Sequence, residues 1–319
     1  MWRSVGILAI GLCLWGQLAI AADSPAGLLS AGRVDDAISA LNGTLSHSPN
    51  DAESHHLLCR AYYALGQWDH AISACEKAIA LDQNNAEFHL WLGRTYGEKA
   101  DVVNFLSAAS LAKKTRAEFE RAVGLNPFSV AARVDLAEFY LEAPGIVGGG
   151  HDKARAQAEA LTKLSPASAH WVTGRIAEKD KDHATAEREY RAMIDSSQGS
   201  AWSWLSLGLY YRHNNRLDEM EAALRRVLDA PIDRPEALVD AASTLYKTNR
   251  NLPLAAELVR RYLKSPPSDQ APLFKAHFLL GNILAKQGDK PQAMAQYRET
   301  LELVKNFEPA QEALDRLGP

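Results

Sequence analysis

A spacing of about 34 residues recurs along this chain and commits it to a repeat architecture. One unit reads Leu58, Cys59, Tyr62, Gly66, Trp68, Ala71, Cys75 and Ala78. One period later come Leu92, Gly93 and Tyr96. The pattern returns as Trp204, Leu207, Gly208, Tyr211, Leu217 and Leu224, and again as Leu280, Gly281, Gly288, Ala293 and Tyr297. Each unit is expected to form two antiparallel helices. Such a hairpin has one face that its own helices cannot bury, so the next hairpin must cover it. Small residues such as Gly93, Gly208 and Gly281 are expected to let the first helix approach the alanine of the second (Ala71, Ala293). A leucine there would overpack by about 1–3 kcal/mol. Pro49, Pro127, Pro166 and Pro267 fall where second helices must stop.

These residues resemble the tetratricopeptide repeat (TPR), and nearly all of the chain after its first residues resembles bacterial exported TPR proteins. The resemblance implies an all-α fold: a right-handed superhelical solenoid of about eight helix-turn-helix repeats. The first repeat is partial (Leu28, Gly32, Val34, Ala37, Leu41) and is expected to act as an N-terminal cap. Phe307 to Leu317 reads as a C-terminal capping helix with Pro309 in its first turn. Two insertions interrupt the register, near 97–111 and 142–151. Both fall at the turn within a hairpin, in neighbouring repeats, so they are expected on one edge. They carry Phe105, Leu106, Ile146 and Val147. Either the two insertions pack on each other, or they form an apolar edge that docks a partner protein.

The first residues differ from the rest. Met1, Trp2 and Arg3 give a short positive start, Val5 to Ile20 is almost wholly apolar, and Ala19 and Ala21 supply small residues before a cleavage site. The segment 1–21 therefore reads as a secretory signal peptide and 22–319 as the solenoid domain. Its apolar run is short for a membrane span, and no other stretch is long and apolar enough for one. The expected address is the periplasm, or secretion. Cleavage removes Cys13 and leaves Cys59 and Cys75, at facing positions of one hairpin. In an oxidising compartment they are placed to form a disulfide worth about 3 kcal/mol in the chain-entropy model. The alternative is two separate small core hydrophobes.

Chemistry-bearing motifs are sparse. A net charge of −4 gives no pull toward nucleic acid. Gly148, Gly149 and Gly150 precede a lysine, but no serine or threonine follows it, so this is a turn and not a phosphate loop, with Asp152 as the expected helix cap. His55, His89, His170 and His277 share one repeat position, which argues for packing. Sites in different repeats cannot converge on one metal, so no metal and no cofactor is expected. There is no nucleophile elbow, and the expectation is a protein without enzyme activity.

The remaining candidates lie on first helices, which line the concave groove of a TPR array. One groove-facing position holds Arg60, Arg94 and Arg175; nearby are Tyr63, Trp171, Trp202 and Arg212. Arginines with aromatic neighbours suit a carboxylate or a peptide backbone. Alternatively each pairs with a glutamate of an adjoining repeat and contributes little. The expected function is an exported adaptor that holds an extended peptide or partner helix in its groove. The competing class is a groove-based enzyme or carbohydrate-binding protein of the envelope. A homo-oligomer held through groove or edge is a third reading.

Overall fold

The computed structural model describes residues 24–318, so the segment assigned to the signal peptide and its cleavage site lie outside the described residues. Seventeen helices follow in order: α1 (Pro25–Ser30), α2 (Val34–His47), α3 (Ala52–Ala64), α4 (Trp68–Leu81), α5 (Ala86–Ala100), α6 (Phe105–Leu125), α7 (Val130–Glu142), α8 (His151–Leu161), α9 (Pro166–Lys179), α10 (His183–Ser196), α11 (Ala201–His213), α12 (Leu217–Val227), α13 (Glu236–Lys247), α14 (Leu252–Tyr262), α15 (Leu273–Lys286), α16 (Lys290–Leu303) and α17 (Glu308–Leu317). They pair as eight hairpins, α1/α2 through α15/α16, with α17 packed on the last. Among the described residues the extended backbone pairing is one isolated bridge, Ser268 with Ala271. Several starts are fixed by side chains that accept a first-turn amide: Asn85, Asn104, Ser129, Ser165 and Ser200.

The small residue of each first helix has a specific partner. A Cβ on Gly208 would stand 2.6 Å from Leu224, and one on Gly281 would stand 2.5 Å from Tyr297. The glycine thus admits a large side chain of the second helix, not the alanine that the sequence pattern suggested. Gly174 faces Tyr190 in the same way. In the second hairpin the two positions are Cys59 and Cys75, joined by a disulfide across a Cα–Cα distance of 5.1 Å. Glycine–ring contact and disulfide are therefore alternative fillings of one repeat position, sixteen residues apart in each case. Gly93 and Phe119 make this contact too, although they are 26 residues apart. That measures the first insertion at about ten residues.

Where those residues go differs from expectation. They make no loop: α6 starts at Phe105 and runs for 21 residues. The second insertion does form a turn, with one 3-10 turn at Gly145–Val147. Gly149 is required there, since a Cβ would lie 1.7 Å from the Ala143 carbonyl oxygen. Val147 is 5% exposed, so it is a core residue and not part of an apolar edge. Gly150, not Asp152, occupies the cap position of α8, and Asp152 pairs with Arg155 at 2.7 Å.

The array closes on itself. One apolar core runs from Leu90 to Ala313 through the later hairpins. A second, smaller core joins Leu28, Val34, Leu41 and Leu58 of the first hairpins to Phe274 and Val304 of the last. Gly32, at φ +72°, lets the first hairpin approach Leu273 so closely that a Cβ would stand 2.9 Å from the leucine's own. The Lys305 amide donates to Asp35 at 3.0 Å. The first repeat was expected to cap a free end, but its outer face is covered by the last repeat.

Candidate binding hollow

Closure turns the concave groove into a hollow lined by first helices. It has two lobes, of about 790 Å³ and about 270 Å³. They meet at Val134, Asp135, Glu138, Arg234, Glu236 and Gln270. Arg234 and Gln270 come from two long linkers between hairpins, 228–235 and 263–272. The other inter-hairpin linkers, such as 82–85 and 197–200, span four residues.

Both long linkers are held by side chains. Arg261 donates to the carbonyls of Val227 (3.0 Å), Leu228 and Ala230 (2.9 Å). The start of α11 is tied to the same linker, since the Ala201 amide donates to Pro231 at 2.9 Å and the Trp202 amide to Asp233 at 3.2 Å. In the second linker, Tyr262 donates to the Ala271 carbonyl and accepts from the Ser268 amide at 3.0 Å. Ser268 in turn donates to Glu236 at 3.0 Å. These bonds present Asp269 and Gln270 to the interior.

The arginines singled out by position are largely committed within the protein. Arg60 pairs with Asp269 of the long linker. Arg94 donates to Asp135 of the next hairpin at 2.6 Å and lies 5.1 Å from the centre of the Trp91 ring. Arg175 pairs with Glu142 and lies 3.6 Å from Glu138 and 3.9 Å from Glu178, while covering Trp171 at 5.5 Å. Tyr63 donates to Glu98 at 3.3 Å and lines the larger lobe. Arg212 contacts His213 at 3.1 Å and lines neither lobe. Trp171 and Trp202 come together, ring centres 5.9 Å apart, in the wall of the smaller lobe.

Sequence reasoning passed over Arg234. Its guanidinium carbon lies 3.5 Å from the centre of the Trp202 ring. No carboxylate stands within ion-pair distance of it among the described residues. The unequal linker lengths were the available signal, and they are readable only once helix ends are known.

The hollow is acidic. Its lining carries eight carboxylates (Glu98, Asp101, Asp135, Glu138, Glu142, Glu178, Glu236 and Asp240) against Arg94, Arg175 and Arg234. Asp240 faces water inside the smaller lobe; enclosure by the protein, then Glu236, pushes its carboxyl up to about 6. Burial first, and Asp135 and Glu142 further, raise Glu138 as well, against the opposing pull of Arg175. Charge held this way in a partly enclosed space favours a cationic occupant.

Outside the hollow, three of the repeated histidines bridge the two helices of a hairpin: His89 to Glu118 at 2.6 Å, His170 to Glu189 at 2.9 Å and His277 to Gln296 at 2.8 Å. No group of three or more metal-ligating side chains is gathered among the described residues. On the inserted edge Phe105, Leu106 and Ile146 are 82%, 81% and 86% exposed. Among the described residues no helix is long and apolar enough to cross a membrane.

Comparison with known proteins bears on the repeats and the fold. Models of the tetratricopeptide repeat match residues 28–90, 147–201, 203–231 and 239–307. The unmatched stretch 91–146 includes the lengthened α6 and half of the inserted turn. No curated protein matches the sequence. Among solved structures, yeast Tom70 is 14% identical, with 89% of this chain and 58% of that one covered and a TM-score of 0.53. A tetratricopeptide repeat protein from Parabacteroides merdae is 12% identical, with 90% and 93% covered and a TM-score of 0.45. The MamA protein is 22% identical, with 56% and 90% covered and a TM-score of 0.37. The likeness to Tom70 is one of fold alone. By its repeats and by its all-helical architecture, the chain is a tetratricopeptide-repeat solenoid.

Proposed function

We propose that this protein is a non-catalytic interaction scaffold whose hollow takes a basic segment of a partner protein. Tetratricopeptide-repeat proteins typically mediate protein–protein contacts, and repeat solenoids use their concave face for them. The observation that carries the proposal is the charge of the lining: eight carboxylates face three arginines, so carboxylates remain in excess after Arg94 pairs with Asp135 and Arg175 with Glu142. A lysine- or arginine-rich segment finds complementary charge there, whereas an acidic one meets repulsion. The exposed Phe105 and Leu106 would add a second, apolar contact outside the hollow. Export to the periplasm belongs to the same proposal, supported by the leader-like composition of 1–21 and by the Cys59–Cys75 bond.

The test is an array of basic, neutral and acidic peptides probed with the mature protein at two salt concentrations. Basic peptides should bind best, and less at high salt. Asp101→Asn with Glu236→Gln should weaken them about tenfold, since interfacial charge pairs couple by 1.5 kcal/mol or more. Phe105→Ser with Leu106→Ser isolates any contribution of the edge. Preferential binding of acidic peptides would reject the proposal.

A further inference from the structure

The smaller lobe holds a guanidinium of the chain itself. Arg234 reaches in from linker 228–235 and lies over the Trp202 ring, with Trp171 beside that ring. Asp135, Glu138 and Glu236 line the same junction between the lobes. The linker backbone is fixed by Arg261 and by the start of α11, but no ion pair fixes the Arg234 side chain among the described residues. Arg94 and Arg175 also lie over tryptophan rings, at 5.1 Å and 5.5 Å, and each is in addition locked to carboxylates. Arg234 has the closest ring and no such lock. It is therefore the one of these three arginines whose head group no carboxylate holds.

We infer that the Trp171–Trp202 shelf with Asp135, Glu138 and Glu236 is a guanidinium-binding subsite, and that Arg234 fills it until an arginine side chain of the bound partner replaces it. The chemistry is that of a planar cation. A guanidinium stacks face to face on an indole and offers its edge N–H groups to carboxylates, whereas an ammonium has no planar face to stack. This inference rests on the reading of the hollow as a site for basic segments, and it specifies that reading. It accounts for a hollow that already holds a cation: Arg234 stands over Trp202 at the junction lined by these carboxylates, without an ion pair to any of them, while the site is free of partner. Displacement exchanges one guanidinium for another, so at this subsite the internal group favours arginine over lysine in the basic segment that binds.

The subsite can be tested apart from any peptide. Acetyl-arginine amide and acetyl-lysine amide are titrated into the mature protein, with the indole N–H resonances of Trp171 and Trp202 as readout. In Arg234→Ala and in Arg234→Gln the arginine amide should bind about tenfold tighter than in the unchanged protein, the scale of a desolvated cation–aromatic contact. The lysine amide should gain less. Trp202→Leu in the Arg234→Ala background should remove the gain, read at Trp171. Unchanged or weaker arginine-amide binding in both Arg234 variants overturns the inference, as does an equal gain for lysine. Binding of an acidic amide that disappears with Arg234 also overturns it, since Arg234 would then be a receptor for anions. Peptide-array failure with the amide gain intact would reject the scaffold reading alone; array success without the amide gain would reject the subsite alone.

Discussion

The two apolar cores of this molecule are held by different means. The larger follows the repeat: at Gly174, Gly208 and Gly281 a first helix admits a ring or leucine from its partner, and each hairpin covers the next. The smaller contains the junction where the first hairpin meets the last, and it relies on devices that occur once. These are the Cys59–Cys75 bond, the close approach of Gly32 to Leu273, the bond from Lys305 to Asp35, and Phe274 stacked edge-on against Phe307 at 5.3 Å. A periodic sequence stabilises periodic contacts at no extra cost in information. A junction between unlike ends needs residues chosen for that place.

The contrast can be broken most strongly at Phe274, which is 0% exposed and belongs to the smaller core. Phe274→Ala should cost about 3–5 kcal/mol. Hydrogen exchange should then show α1 and α2 losing protection while α9 to α12 keep theirs. Uniform loss along the chain would mean that the two cores unfold as one. The disulfide comes next. Its reduction should cost about 3 kcal/mol and act on the same core. Alkylation and mass spectrometry of the unreduced protein checks the bond, and free thiols at both Cys59 and Cys75 would reject it.

The smallest effect sharpens the comparison through pH. His56 on α3 is 2% exposed and stacks on Phe88 at 4.7 Å. Burial first, then Arg60, lowers its pKa to about 3. An unfolded histidine titrates near pH 6.5, so between these values the folded chain binds fewer protons than the unfolded one. Its contribution is complete above about pH 6.5 and is lost as pH falls toward 3. Thermal midpoints should drop between pH 6.5 and 5, and His56→Phe should flatten that drop. Equal slopes in both proteins would show that His56 does not carry it.

Much of the fold was legible because the repeat writes its contacts at fixed spacing. Cys59 faces Cys75 as the spacing placed it; Gly174 with Tyr190 and Gly281 with Tyr297 share that separation, although an alanine was expected opposite the glycine. What escaped has no period. Arg60 is paired with Asp269, a residue from the far end of the chain, which closure brings alongside. The acidity of the hollow has no period to reveal it either. Arginines at a repeated position stand out, while Asp135, Glu236 and Asp240 sit at unrelated positions and are gathered by curvature. Val147 looked like an exposed apolar residue because its turn was unfamiliar; the glycines around it fold it inward.

Meeting of the first and last hairpins also limits how such a protein can evolve. An open stack tolerates duplication or loss of a unit, because every new edge resembles the old one. Here Gly32 must find Leu273 after one circuit, so an added 34-residue module would leave two mismatched ends facing each other. Lineages of this protein should vary in loops and lining while holding their number of hairpins constant.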